Sequence, residues 1–492
     1  MQGQLFTQEF LLNGIQTTPV WDSLPGDSLE DLSKSLREIF SPYHAGSDLN
    51  EATTEQEIIL KILALLDWSD LALPQTAAGG RREDVPDFLL CPDLKAKRSA
   101  LRERRDRRYR HGIAILESKR WMRPLDRGYV TDRLDPSTPS NQILRYLSAA
   151  EVASDRAVRW GILTNGCVWR LYYQGARSRS EEFFEIDLGH LLGVPGVQND
   201  LFSDLDREHG LKLFYCLYHR AAFHPQPWDN DQRTFHQVAL AEARLYEEKV
   251  SKTLGERVFA TVFPDLANAL AKGDPEARVP ATRAYLDEVR DAALILLYRC
   301  LFVLYAEDRH LLPVRDARYH HYSLRKLRED IGDKRDKNAA FSTTAPRIWD
   351  ELASLFGAIR QGDSALGLPA YNGGLFDDAE TPLLARTRIS DAELAPIIDE
   401  LSRRSDERLR AWINYRDLSV VHLGSIYERL LEFRLEAEAE RIVARPTSFA
   451  RRVSGSYYTH DDLVKLLIEA AVGPLVRERV TAFKRQVGDW KS

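Results

Sequence analysis

The chain has few of the cysteines that stabilise small proteins through disulfide bonds or structural zinc sites. Its 492 residues include four cysteines, all far apart, with no Cys-x-x-Cys pair and no neighbouring histidine cluster. This spacing predicts reduced, packed thiols and argues against a zinc site or a disulfide framework. Long apolar runs are also missing, since residues 292–297 and 301–305 are separated by Arg299, and no signal peptide is visible. We therefore expect no membrane span and a cytoplasmic protein.

Neither sign of charge is in large excess over the whole chain. A net charge of −6 ordinarily disfavours a nucleic-acid partner, but a sum conceals local concentration. Residues 95–110 contain nine lysines and arginines against two acids. Such a segment binds phosphate without reading sequence, and its binding weakens as salt rises. A solvated charged helix or a flexible loop explains the same run equally well.

The length and the residue patterns predict more than one domain. A chain of 492 residues is too long for one compact core. Strand-like segments end near residue 192, and from 199 to 446 most apolar residues recur at helical spacing. We therefore predict an α/β domain over 1–195 and a large, mainly helical domain over 196–446. No fixed-period repeat and no low-complexity tract interrupts this division.

The α/β part contains several short strand patterns. Residues 85–91 and 112–119 are apolar runs of strand length. Two further runs, 158–164 and 167–173, flank Asn165-Gly166, which is a strong hairpin signal when both turn residues adopt positive φ. These patterns predict a sheet with the 158–173 hairpin inside it.

Two of these strands place an acid, an acid and a lysine at informative positions. Glu117 and Lys119 are two residues apart, so they project to one face of a strand, where Asp87 meets them if the two strands are neighbours. Carboxylate oxygens suit Mg²⁺, which retains several waters and bridges to phosphate. Bound metal acidifies a water and stabilises charge on the phosphate, while the lysine orients the attacking water. The set predicts phosphodiester hydrolysis.

Three further features accompany this triplet. Pro86 precedes the acid, Gln142 and Tyr146 lie four apart, and Glu55 opens an apolar-periodic helix, with Glu57 and Glu51 as alternatives to Glu55. In this order the features resemble PD-(D/E)xK nucleases, and the Gln-Tyr pair resembles the RecB-like members. The resemblance implies a third metal-proximal carboxylate at Glu55, and a positioning role for Gln142 and Tyr146.

Each of these residues also has a structural explanation. Asp87 alone is a strand-end acid, and Glu117 with Lys119 is a solvated cross-strand pair. Gln142 and Tyr146 share one helix face, which is equally typical of ordinary exposed helix residues.

Segments spread over most of the chain resemble the single-chain type IIG restriction and modification enzymes. The segments are 117–121, 159–166, 301–313, 371–376, 423–431 and 455–459. The resemblance implies a PD-(D/E)xK core with a mixed sheet flanked by helices, a helical connector and an adenine-N6 methyltransferase. Tyr458 and Thr459 would then contribute to an S-adenosylmethionine pocket. For the other segments, core packing explains the same residues.

The sequence departs from that family at its end. His460 stands where proline usually follows Tyr-Thr, and both the glycine-rich cofactor loop and the Asn-Pro-Pro-Tyr motif are absent. We therefore interpret residues 447–492 as the start of a methyltransferase-like region. Either the chain is truncated within that region, or a separate polypeptide provides the methyltransferase. The chain alone is not expected to methylate DNA.

These observations favour a Mg²⁺-dependent endonuclease acting on double-stranded DNA within a restriction-modification or phage-defence system. An alternative is an inactive nuclease-like module that binds DNA and assembles with a methyltransferase. A helical scaffold without a nucleic-acid role is a third alternative, and it predicts no DNA binding even at low salt.

Overall fold

A computed structural model of the chain describes most of its residues and forms two compact units, Met1–Lys249 and Val250–Ser492. The residues outside the description are 1–2, 76–84, 127–137, 198–205, 278–280, 315, 372–373, 378–380, 407–408, 419, 439–440, 447–460, 477 and 480–492. This division by contacts does not test the three functional domains predicted above, whose limits stay a prediction.

The first unit contains a six-stranded sheet. Its strands are β1 (Ala72–Pro74), β2 (Phe88–Leu90), β3 (Ala114–Ser118), β4 (Trp160–Thr164), β5 (Val168–Tyr173) and β6 (Phe183–Asp187). Their order in the sheet follows the chain, and β3 and β4 are parallel while the other neighbours are antiparallel. Parallel neighbours need a crossover, which contains the helix Pro139–Ala153. The expected mixed sheet is therefore confirmed.

Helices surround this sheet in the first unit. They are α1 (Gln8–Leu12), α2 (Pro19–Asp22), α3 (Gly26–Phe40), α4 (Glu51–Thr54), α5 (Leu60–Leu65), α6 (Leu94–Arg102), α7 (Arg105–Arg108), α8 (Pro139–Ala153), α9 (Leu188–Leu192), α10 (Arg207–Tyr218) and α11, whose span Phe235–Arg257 runs past the end of the unit. Between α4 and α5 the chain makes a π-helical turn, Glu55–Ile59.

Both faces of the sheet are covered, because alternate strand residues are apolar in both directions. Leu116 and Ile162 point to one face, where they pack with residues of α3 and α10. Ile115 and Leu163 point to the opposite face, where they pack with α8 and Ala100 of α6. Burial on two faces explains why these strands read as apolar runs instead of alternating patterns. We call the α8 side the α8 face and the other side the α3 face.

The hairpin predicted at Asn165-Gly166 joins β4 and β5, but its turn differs in detail. Gly166 has φ of +86°, whereas Asn165 is not among the residues with positive φ, so the expectation for both turn residues was wrong. The Asn165 Oδ1 instead accepts hydrogen bonds from the backbone N–H groups of Cys167 (3.0 Å) and Val168 (2.7 Å). An asparagine side chain thus supplies the turn geometry that a second left-handed residue would give.

The second unit is mainly helical, as the spacing of its apolar residues predicts. Its helices are α12 (Phe263–Gly273), α13 (Arg283–Asp308), α14 (Ala317–His320), α15 (Leu324–Asp336), α16 (Arg347–Gln361), α17 (Pro382–Arg386), α18 (Asp391–Ser402), α19 (Val420–Leu430) and α20 (Asp461–Ala471). Two hairpins that the sequence analysis missed are β7 (Arg403–Asp406) with β8 (Leu409–Trp412), and β9 (Phe433–Glu438) with β10 (Arg441–Pro446). No helix in the described part of the chain is both long enough and apolar enough to cross a bilayer.

Candidate active site

The two strands that bear the predicted acids are neighbours in the sheet. In the antiparallel register, Phe88 faces Leu116, so Asp87 lies beside Glu117 at the end of both strands. The backbone N–H of Asp87 donates a hydrogen bond to Glu117 Oε2, at 3.3 Å. The two strands are therefore neighbours and the two acids meet, as predicted for that case.

Glu117 and Lys119 form a buried ion pair. Lys119 Nζ lies 2.5 Å from Glu117 Oε1, and each residue is 2% exposed. The Lys119 N–H donates to the carbonyl of Thr164 at 2.8 Å, which continues the β3–β4 ladder beyond Ser118 and fixes the lysine backbone. The alternative of a solvated cross-strand pair is therefore wrong, because both charged groups are withdrawn from water.

Ser118 lies between the two residues of that pair, and it links two further carboxylates. Its backbone N–H and its Oγ each lie 2.7 Å from Asp87 Oδ2, and the same Oγ lies 3.1 Å from Glu55 Oε2. Ser118 is fully buried. Ser118 was not among the residues predicted for the site, although its position between Glu117 and Lys119 places its side chain on the opposite face of β3.

Packing behind the π-helical turn sets the position of Glu55. The neighbouring Thr54 is buried, and its Oγ1 accepts a hydrogen bond from the backbone N–H of Trp121 at 2.9 Å. A Cβ on Gly166 would lie 3.1 Å from the Thr54 side chain and 3.2 Å from the Trp121 ring. Glycine at the β4–β5 turn therefore lets the helix approach the sheet closely enough for Glu55 to reach Ser118.

The other two glutamates of this helix differ in their surroundings. Glu57 pairs with Lys61 at 2.6 Å, and both side chains are about half exposed, so Glu57 lies on the surface. Glu51 influences Glu55, Glu117 and Lys119 through its charge. Glu55 reaches Asp87 through the Ser118 hydroxyl, which lies 3.1 Å from Glu55 Oε2 and 2.7 Å from Asp87 Oδ2.

Burial among like charges shapes the electrostatics of these residues. Burial, reinforced by the charge of Asp87, raises the pKa of Glu117 to about 8, against the opposing effect of Lys119. Burial and Asp87 also raise the pKa of Glu55. Burial lowers the pKa of Lys119, but Glu117 and Glu51 outweigh it and the net shift is upward. A cation among these carboxylates would relieve the repulsion that raises their pKa values.

Gln142 and Tyr146 meet each other on the α8 face. Gln142 Nε2 donates to Tyr146 Oη at 2.8 Å, and Tyr146 packs in the same apolar cluster as Ile115 and Leu163. The Gln142 Oε1 is buried without a hydrogen-bond partner in the described part of the chain. Gln142 and Tyr146 thus lie on the face to which Glu117 and Lys119 project. Within the described residues, the buried Gln142 Oε1 can still accept a hydrogen bond.

The basic segment is helical and covers the same face. It forms α6 and α7, and Ala100 and Tyr109 anchor it in the cluster beside α8. Its exposed cations are Lys95, Arg98, Arg102, Arg104, Arg107 and Arg110. Residues 95–110 are therefore mostly helical and do not form a flexible loop. Their exposed cations face the solvent.

The carboxylate oxygens of the site are donors that suit Mg²⁺, although they do not surround a single point as a complete set of ligands would. Among the residues that the structure describes, no three His, Cys, Asp or Glu side chains stand ready to hold one ion. Mg²⁺ is usually held by one or two carboxylates, with water and substrate phosphate completing its shell. Asp87, with Glu55 or Glu117 beside it, provides such a partial set.

Comparisons with protein-family models, with curated proteins and with solved structures gave no match to this chain. Tyr458 and Thr459, the residues expected at an S-adenosylmethionine pocket, lie outside the described residues.

Proposed function

We propose that the chain is a Mg²⁺-dependent DNA endonuclease of the PD-(D/E)xK kind, acting in a restriction-modification or phage-defence system. The observation that supports this most is the convergence of Asp87, Glu117 and Lys119 at the ends of two paired strands. Glu55 joins them through Ser118. The acid, acid and lysine expected of that chemistry are thus neighbours in space as well as correctly spaced along the chain.

Each residue has a distinct role in this proposal. Glu55, Asp87 and Glu117 would hold Mg²⁺, which would supply positive charge at the scissile phosphate and make a bound water more acidic. Lys119, buried next to Glu117, orients the attacking water and donates toward the phosphate oxygens. The open acceptor of Gln142 takes a hydrogen bond from water or from the DNA, and Tyr146 holds the Gln142 amide in place.

The same face offers a surface for the DNA backbone. The exposed arginines of α6 and the segment after it lie on the sheet face to which Glu117 and Lys119 project. Cations at this position neutralise phosphates and give affinity without base readout. The substrate of the proposal is therefore double-stranded DNA, approached from the α8 face.

Asp87→Asn tests the nuclease proposal, because asparagine keeps the side-chain shape and removes the carboxylate charge. We expect the wild-type protein to nick supercoiled DNA with Mg²⁺ but not with a chelator, and the variant to be slower by about a hundredfold. Asp48→Asn, at an exposed position of the same unit, is the matched control and should leave the rate unchanged. Equal rates for Asp87→Asn and wild type would refute the proposed role of this carboxylate.

A second candidate function is an inactive nuclease-like module that binds DNA and assembles with a methyltransferase. The closed Glu117–Lys119 pair favours it, because a lysine engaged by a buried carboxylate is not free to act on a substrate. Salt-sensitive DNA binding in Ca²⁺, together with no cleavage under Mg²⁺ or Mn²⁺, would select this function over the first.

The basic helix provides a separate prediction on DNA binding. Arg98→Gln with Arg102→Gln removes two exposed cations from α6, and the slope of log affinity against log salt should become shallower by about 2. Lys34→Gln with Arg37→Gln is the matched control, since these exposed cations lie on α3, on the opposite face of the sheet. Binding titrations at several salt concentrations measure both slopes. An unchanged slope in the α6 variant would show that these two arginines make no phosphate contacts.

A further inference from the structure

The hydroxyl of Ser118 occupies a position that the proposed chemistry has not used. It lies within hydrogen-bond distance of one oxygen of Asp87 and one oxygen of Glu55, on two different elements of the fold. A serine hydroxyl has one proton, so it donates to only one of these carboxylates at a time. Two carboxylates that approach one hydroxyl this closely repel each other unless a proton or a cation lies between them.

The backbone of Ser118 makes this arrangement rigid. Its N–H donates to the same Asp87 oxygen at 2.7 Å, so Asp87 keeps one bond to the central strand β3 even when the hydroxyl donates to Glu55. Glu55 belongs to a helix packed on the α3 face, and its one described hydrogen bond within the site goes to Ser118. The serine thus connects the helix carboxylate to the strand carboxylate.

We propose that Ser118 is a positioning residue that holds Glu55 and Asp87 together as one pair of metal ligands. The inference rests on the nuclease proposal for the identity of the site, and it adds a residue that contacts the ligands without itself being one. Residues that orient metal ligands typically change metal affinity by about tenfold to a hundredfold when they are removed. Ser118 should therefore act on metal affinity more than on the rate at saturating metal.

Ser118→Ala removes the hydroxyl and keeps the backbone bond to Asp87. Calorimetric titration with Mn²⁺ alone should show affinity about tenfold weaker than wild type, and the Mg²⁺ concentration for half-maximal nicking should rise similarly. The rate at saturating Mg²⁺ should change by less than about threefold. Ser154→Ala, a buried serine at the end of α8, is the matched control and should leave Mn²⁺ affinity unchanged.

A double-mutant cycle separates this role from simple packing. If Ser118 acts through Glu55, then Ser118→Ala should weaken Mn²⁺ binding by at most about threefold in a Glu55→Gln background. A full tenfold effect in both backgrounds overturns the inference, because a packing defect would add independently. Ser118→Cys, whose thiol is a weak donor, replaces alanine if urea unfolding shows that Ser118→Ala does not fold, and the same weakening is expected.

The outcomes distinguish the inference from the function on which it rests. Mn²⁺ affinity that depends on Ser118 in a protein that does not cut DNA supports the inference and overturns the nuclease proposal. If the protein cuts DNA but binds Mn²⁺ with equal affinity as wild type and as Ser118→Ala, the nuclease proposal is supported and the inference about Ser118 is overturned. A wild-type protein that binds no Mn²⁺ overturns the inference directly.

Discussion

Lys119→Met should lower Mg²⁺-dependent nicking by about a thousandfold, which corresponds to about 4 kcal/mol of transition-state stabilisation. Methionine fills nearly the same volume, but it cannot donate to water or to a phosphate oxygen. The lysine is 2% exposed, so no solvent molecule or mobile surface cation readily takes its place. Rates are measured on supercoiled DNA at saturating Mg²⁺.

The same substitution should also destabilise the first unit, because it leaves Glu117 buried without its cation. Loss of one member of a buried pair costs about 3 kcal/mol or more. Glu117 limits that loss by taking up a proton, since its pKa is already raised to about 8 and rises further without Lys119. Urea unfolding of the variant measures this cost and shows how much of the lost activity comes from unfolded protein.

A second variant removes this ambiguity between chemistry and folding. Glu117→Gln with Lys119→Met replaces the pair with neutral groups of similar size, so stability should return to within about 1 kcal/mol of wild type while the nicking rate stays at least about a thousandfold below wild type. Lys61→Met, at a half-exposed lysine of the same unit, is the matched control and should cut normally. A Lys119→Met protein that cuts within tenfold of wild type would contradict the role given to this lysine.

The sequence was sufficient for the parts of the site that depend on periodicity. Glu117 and Lys119 share a face because strand side chains alternate, and Asp87 meets Glu117 because the two apolar runs pair in one sheet. The helical second unit follows from apolar spacing in the same way, as α13 (Arg283–Asp308) illustrates. Side-chain alternation and apolar spacing are local, so a single sequence is enough to predict them, whereas the pairing of the two strands was only a condition that the structure meets.

The features that were missed depend on contacts between distant segments. Ser118 is recognisable as part of the site only once the helix that bears Glu55 is known to pack on its face of the sheet. Glu55 was the first choice from sequence, but what separates it from Glu57 is a distant contact, because the π-helical turn is positioned by Thr54 against Trp121, 67 residues away. The hairpin of β9 and β10 lies in a charged stretch without clear alternation, which explains why it was read as helical.

The motif at the end of α13 shows the same limit in the second unit. Glu307 and Asp308 are the last two residues of α13 and lie within the segment 301–313, for which core packing is the simpler explanation from sequence. In the structure Glu307 is buried, and its carboxylate accepts hydrogen bonds from Tyr319 Oη (2.8 Å) and from two backbone N–H groups at the start of α15, Leu324 (2.9 Å) and Arg325 (2.7 Å). Asp308 binds Arg328 at 2.8 Å. Glu307 therefore caps the N-terminus of α15, although it belongs to α13.

Glu307→Leu should destabilise the second unit by more than about 4 kcal/mol, because it leaves three buried donors without an acceptor, at about 1–3 kcal/mol each. Glu307→Gln, which keeps one acceptor oxygen, should cost about 2 kcal/mol. Glu329→Leu, at a half-buried position of α15, is the matched control and should change stability by less than about 0.5 kcal/mol. Urea unfolding measures all three.

The cost of Glu307→Leu should also depend on pH. Burial raises the pKa of Glu307 in the folded protein to about 7, above its ordinary value of 4.5, although its hydrogen-bond donors act in the opposite direction. Between these two values the folded protein binds more protons than the unfolded chain, so the stability contributed by Glu307 falls as pH rises. The difference between wild type and Glu307→Leu should therefore be largest near pH 5 and smaller at pH 8. A difference that grows with pH would mean that the three donors hold this carboxyl ionised.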